Sequence, residues 1–192
     1  MKLTLAQRFN PAAWLILPLM RAWTRRTNPT RDFPAARTTH AIVSVDAAAA
    51  GSLHPEMPLR ALETLGPADW HSGPASFKRL YYYALGTMLQ LAEDRVGTIE
   101  VLVDPSRHPF GVAHEFAPGV LELQRGGRRA ARFDANTTES QLTAALGAAD
   151  YTDRFDDRRV LGFTLGAIAL EAELDAKSRR LIACTITTRD TE

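Results

Sequence analysis

Cys184 is the only cysteine in the chain, and that scarcity excludes an internal disulfide framework and any multi-cysteine metal site. Its neighbours Ile182, Thr185 and Ile186 read as a strand, so the thiol is expected to be buried and inert. Long apolar runs are missing as well. Pro11 to Met20, interrupted by Pro18, is the best membrane candidate, and about ten residues are too few to span a bilayer. As a secretory signal the run is poor, because Arg21, Arg25 and Arg26 follow it where small residues should form a cleavage site. A cytoplasmic protein is therefore expected. Neither charge predominates: the formal net charge is +1 over 192 residues, which points to no nucleic-acid partner. No catalytic motif stands out, and no cofactor is expected.

The charge that is present is unevenly placed. Residues 1–38 hold Lys2, Arg8, Arg21, Arg25, Arg26, Arg31 and Arg37 against Asp32 alone, a net of +6, which leaves −5 on residues 39–192. Residues 1–38 read as a basic helical arm followed by a linker around Pro29 and Pro34. Trp14, Leu17 and Trp23 beside Arg25 and Arg26 suit either packing on the body or a weak membrane-surface contact through residues 1–26.

The body reads as a pattern stated twice. Leu65-Gly66-Pro67-Ala68-Asp69-Trp70 recurs as Leu146-Gly147-Ala148-Ala149-Asp150-Tyr151, and Arg79 to Gly86 lies over Arg159 to Gly166. Blocks in the same order with small changes of offset suggest a duplicated unit. In the first, Ala41 to Val45 reads as a strand and Pro58 to Leu65 as a short helix ended by Gly66. Residues 77–92 fit helical spacing through Phe77, Leu80, Tyr81, Ala84, Leu85, Met88 and Leu89. Their counterpart alternates as strand, and Tyr81-Tyr82-Tyr83 favours a pleated surface, so strands are the preferred reading.

In the second unit, paired Gly126-Gly127 turns a hairpin between Val120 to Gln124 and Arg129 to Phe133. A helix capped by Thr137 or Thr138 runs to Leu146. Arg159 to Leu165, Ala167 to Leu174 and Leu181 to Thr187 make a meander. The expected fold is α+β: two repeated units, residues 39–104 and 120–192, each a short helix packed on an antiparallel β-meander, joined by a Pro-rich connector at 105–119 and preceded by the basic arm.

Chemistry-bearing residues are sparse. Asp104, His108, His114 and Glu115 offer material for acid-base work, but Pro109 breaks the spacing between the two histidines, so they cannot share a helix face. Asp150, Asp153, Asp156 and Asp157 are interleaved with Arg154, Arg158 and Arg159 and lack the order of a calcium loop. Both units place an acid and an aromatic after the Leu-Gly cap, and exposed aromatics beside charges are the material of interface hot spots. Asp69, Trp70, Asp150, Tyr151, Asp153 and Asp157 are therefore the expected partner contacts.

The run Phe133-Asp134, Thr138-Glu139-Ser140, Leu142, Leu146-Gly147, Asp150, Val160 to Phe163 and Ile168 to Leu174 resembles a group of small bacterial α+β modules. The group includes the β-lactamase inhibitory proteins, the small outer-membrane assembly lipoproteins and many immunity proteins, and the resemblance covers residues 40–103 and 119–188. The chain departs from the lipoproteins in having no lipid-attachment cysteine near its start. The resemblance implies a non-enzymatic protein-binding module, an immunity or inhibitor protein neutralising a bacterial toxin or secreted effector. A hydrolase using His108 and His114, or a membrane-surface accessory protein, is the alternative expectation. An acidic body would steer such a module towards a basic partner.

Overall fold

The computed structural model describes residues 26–46, 51–74, 76–107 and 115–189. Within them the chain is β-rich, with eleven strands in a three-stranded and an eight-stranded sheet. The three-stranded sheet joins β1 (Ala41–Ser44), β6 (Leu121–Arg125) and β7 (Arg128–Phe133), with β1 parallel to β6 and β6 antiparallel to β7. Gly126 and Gly127, at φ 56° and 72°, form the β6–β7 turn, where positive φ matches the strand twist.

The larger sheet contains β2 (Trp70–Ser72), β3 (Phe77–Tyr82), β4 (Thr87–Ala92), β5 (Arg95–Leu102), β8 (Tyr151–Arg154), β9 (Arg158–Leu165), β10 (Ile168–Asp175) and β11 (Leu181–Thr188). Its spatial order is β2-β3-β4-β5-β11-β10-β9-β8, antiparallel throughout. Two meanders thus meet edge to edge at β5 and β11, leaving β2 and β8 as the outer edges.

This architecture overturns the α+β expectation. The α-helix that lies wholly within the described residues is α1 (Glu139–Leu146), Arg26 and Thr27 are also helical, and Leu59–Leu65, expected as the first unit's helix, is a 3-10 segment. No pair of separate helix-on-meander repeats exists among the described residues, because the meanders share one continuous sheet and β1 pairs with β6 from the other half of the chain. Residues 77–92 are strands β3 and β4 around a short 3-10 turn at Tyr83–Leu85. Helical spacing there arises because β3 and β4 bury opposite phases of their alternation across the bend. Residues 1–25, with the expected arm helix, lie outside the described residues.

The core lies between the two sheets. Leu80, Leu89, Ile99, Ile186, Leu170 and Phe163 line up as one register row across six strands, each no more than 3% exposed. Val43, Leu121, Leu123 and Phe133 of the smaller sheet join the same cluster, as do Leu62 and the α1 residue Leu142. α1 starts on a capping box: the Thr138 hydroxyl accepts from Gln141 N, and the Gln141 side chain accepts from Thr138 N.

Candidate protein-binding surface

The face of the large sheet turned away from the core carries a row through all eight strands: Trp70, Tyr81, Met88, Glu100, Thr185, Glu171, Gly162 and Tyr151. Two of the expected partner contacts, Trp70 and Tyr151, thus share a face but occupy opposite edges. Seven inter-strand steps separate them by roughly 34 Å along the sheet.

The two ends of the row differ. On the β2 side, Phe116 from the connector packs on Tyr83 with ring centroids 4.9 Å apart and on Tyr81 at 6.3 Å. Tyr81, Met88, Leu102, Phe116, Ile182 and Ala183 form a second buried cluster, with half-buried Trp70 against it. This half of the face is already occupied by the chain itself.

On the β8 side the surface is open. Tyr151 is 43% exposed. Its ring lies over the backbone of Gly162, where a Cβ would come within 1.9 Å of the Tyr151 Cε1. Only glycine at 162 admits that placement, and the ring in turn shields a glycine within a strand. The Tyr151 hydroxyl donates to Glu171 Oε1. Partial burial, the bond to Glu171 and the charges of Glu171 and Asp153 push the phenol pKa up to about 12. Strand alternation puts Asp153 on the same face as Tyr151 and sends Thr152 and Arg154 to the other.

Beside this corner, Arg107, Asp157, Arg158, Glu173, Asp175 and Ile182 line a shallow cleft of about 330 Å³. Arg107 bridges to Asp175 at 2.7 Å, and Arg158 lies 3.4 Å from Glu173. Tyr151 and Asp153 therefore share the β8 edge strand, with Asp150 just before it, while Asp157 lies in the β8–β9 turn and lines the cleft. Asp69 and Trp70 stand at the far edge.

Asp69 and Asp150 have structural roles of the same kind. Asp69 Oδ2 accepts from Tyr83 N at 2.7 Å, and Asp150 Oδ2 accepts from Thr164 N at 2.6 Å. Asp69 N donates to Tyr81 O and Asp150 N to Gly162 O. Each carboxylate closes the bend that leads into an edge strand. Sequence reasoning missed Glu171 and Gly162. The alternation of β10 signals that Glu171 points away from the core, but only the pairing of β8 with β9 and β10 places Tyr151 beside it.

Among the acid-base candidates, Asp104 accepts from Ser106 Oγ at 2.5 Å and lies 3.4 Å from Arg107, a local turn arrangement. Glu115 is half-buried near the Phe116 cluster, and its charge bears on Tyr83. His108 and His114 lie outside the described residues. Among the described residues no group of three or more His, Cys, Asp or Glu could hold a metal ion, and no helix is long and apolar enough to cross a membrane. Burial raises the Cys184 thiol pKa to about 12.

No family model matches the sequence, and no curated protein matches it. Solved structures similar to parts of the chain include the following two. A DUF4309 family protein of Bacillus subtilis matches with TM-score 0.34 and 11% identity, over 62% of this chain and 68% of its own. A cysteine-rich secretory protein of Staphylococcus aureus matches with TM-score 0.47 and 8% identity, over 82% of this chain. The match spans about half of that second protein, 51% of its length.

Proposed function

We propose that the protein is a non-enzymatic binding module, an inhibitor or immunity-type protein that occupies a basic partner such as a secreted effector or toxin. The observation that carries the reading is Tyr151: an exposed aromatic ring fixed on Gly162, bonded to Glu171 and flanked by Asp153. A ring held in place before binding loses little conformational freedom on docking, which is the property of an interface anchor. The acids around it favour encounter with a positive surface. A single, fully buried thiol suits a reducing compartment, and the proposal places the protein in the cytoplasm.

Affinity capture from the native host with the full chain, followed by calorimetry on the recovered pair, tests this. A stoichiometric basic protein whose binding weakens at least tenfold with Tyr151→Ala, about 1.4 kcal/mol, is the expected result. No stoichiometric partner, or a partner indifferent to Tyr151→Ala, would remove the basis of the proposal.

A further inference from the structure

Three large apolar side chains stand exposed among the described residues: Phe77 at 41%, Tyr151 at 43% and Phe155 at 51%. Two of them carry an arginine of the chain's own. The Arg79 guanidinium lies 5.7 Å from the Phe77 ring centre, and that of Arg158 lies 5.1 Å from the Phe155 ring centre. Tyr151 has no such cation among the described residues, although Asp153 stands two residues along its strand and Glu171 two strands across at its own register. Asp153 and Glu171 form no ion pair among the described residues, and Arg158 is turned to Glu173 and Phe155. One ring face is closed by Gly162, so the other is the face that meets solvent.

We propose that the exposed face of Tyr151, with the Asp153 and Glu171 carboxylates beside it, receives an arginine side chain of the partner protein. The inference rests on the protein-binding reading and names the chemistry of its contact. A planar guanidinium stacks on an aromatic face and donates in its own plane in several directions, so it can bond carboxylates at the ring's edge while covering the ring. An ammonium meets the ring but cannot bridge both acids with the same geometry. Glu171 holds the phenol by one oxygen, Oε1, and keeps Oε2 for the incoming donor.

The test uses the isotope-labelled full chain and two probes, N-acetyl-arginine amide and its neutral isostere N-acetyl-citrulline amide, followed by amide chemical shifts. The arginine probe is expected to give saturable shifts confined to residues around 151–153, 162 and 171, and the citrulline probe is expected to give none. Tyr151→Leu, which still covers Gly162, should weaken the arginine probe about fivefold, the loss expected for a cation–π contact. Tyr151→Phe keeps the ring and should stay within about twofold of the parent. Equal shifts with citrulline, shifts spread over acids elsewhere, or unchanged affinity in Tyr151→Leu would each overturn the inference. If the probe fails at this ring while partner capture still depends on Tyr151, the inference falls and the binding function stands. Arginine bound at Tyr151 without any captured partner would instead support the arginine site and remove the protein-binding reading.

Discussion

The Asp69 carboxylate accepts a hydrogen bond from the Tyr83 backbone N–H at 2.7 Å, tying the start of β2 to the end of β3. Asp150 makes the corresponding bond to Thr164 at 2.6 Å. A hydrogen bond to a charged acceptor contributes about 1.5 kcal/mol at the lower end of its range. Asp69→Ala and Asp150→Ala should each lose about that much in urea unfolding. The double variant should lose the sum, since the two sites share no partner. An unchanged midpoint in either single variant would show that its corner is held by other contacts.

Gly162→Ala should dislodge Tyr151. The added Cβ would sit 1.9 Å from Cε1 and 2.3 Å from Cζ of the ring, so the ring must swing off the sheet. Overpacking of this kind costs about 1–3 kcal/mol, with the lower figure apt at an exposed edge. A double-mutant cycle with Tyr151→Ala measures it. The cost of Gly162→Ala should largely vanish once the ring is gone, and a cost that persists would place the strain in the backbone instead.

The β4–β5 turn offers a stabilising change. Glu93 and Asp94 occupy it at φ 50° and 60°, a conformation for which Asn-Gly is the favoured pair. Replacing them by Glu93→Asn and Asp94→Gly should raise stability by about 0.5–1 kcal/mol. Thermal unfolding of the double variant checks this, and a lower melting temperature would contradict it.

Acid should loosen the β10–β11 turn. Ser178 N donates to Asp175 Oδ1 at 2.6 Å, and Arg107 lies 2.7 Å from Oδ2. Led by the Ser178 backbone bond, these contacts hold the Asp175 carboxyl near 2, below its ordinary 3.8. A depressed folded-state value means that stabilisation is complete above the unfolded value and is lost as pH falls from about 4 towards 2. Asp175→Asn should flatten the acid limb of the stability profile in that window. An unaltered limb, measured by urea unfolding at stepped pH, would assign the acid sensitivity to other carboxyls.

Local signals were legible in the sequence and long-range ones were not. Paired Gly126-Gly127 announced the β6–β7 hairpin, Thr137 or Thr138 announced the start of α1, which Thr138 caps, and the alternation from Ile168 to Leu174 announced β10. These rest on neighbours a few residues apart, where turn chemistry and side-chain period decide the outcome. The α+β reading failed at Pro58 to Leu65, whose cap signals serve a 3-10 segment as well as an α-helix. It failed again at the junction of β5 with β11, because strand pairing across more than 80 residues leaves no trace in local periodicity. For the same reason Asp69, Trp70, Asp150 and Tyr151, alike in sequence context, could not be told apart. Only the seat of Phe116 separates a covered edge from an open one.

On the proposed binding function, the seat of Phe116 sets the valence of the protein. Two bends with matching hydrogen bonds would permit a symmetric, two-handed grip, in which each edge of the sheet engages its own partner and avidity multiplies weak contacts. Phe116, seated on Tyr81 and Tyr83, occupies one of the two positions from within. Under the proposed binding function one edge is left open, so a complex formed at Tyr151 should contain one copy of each chain and draw its strength from that single contact, with no gain from clustering.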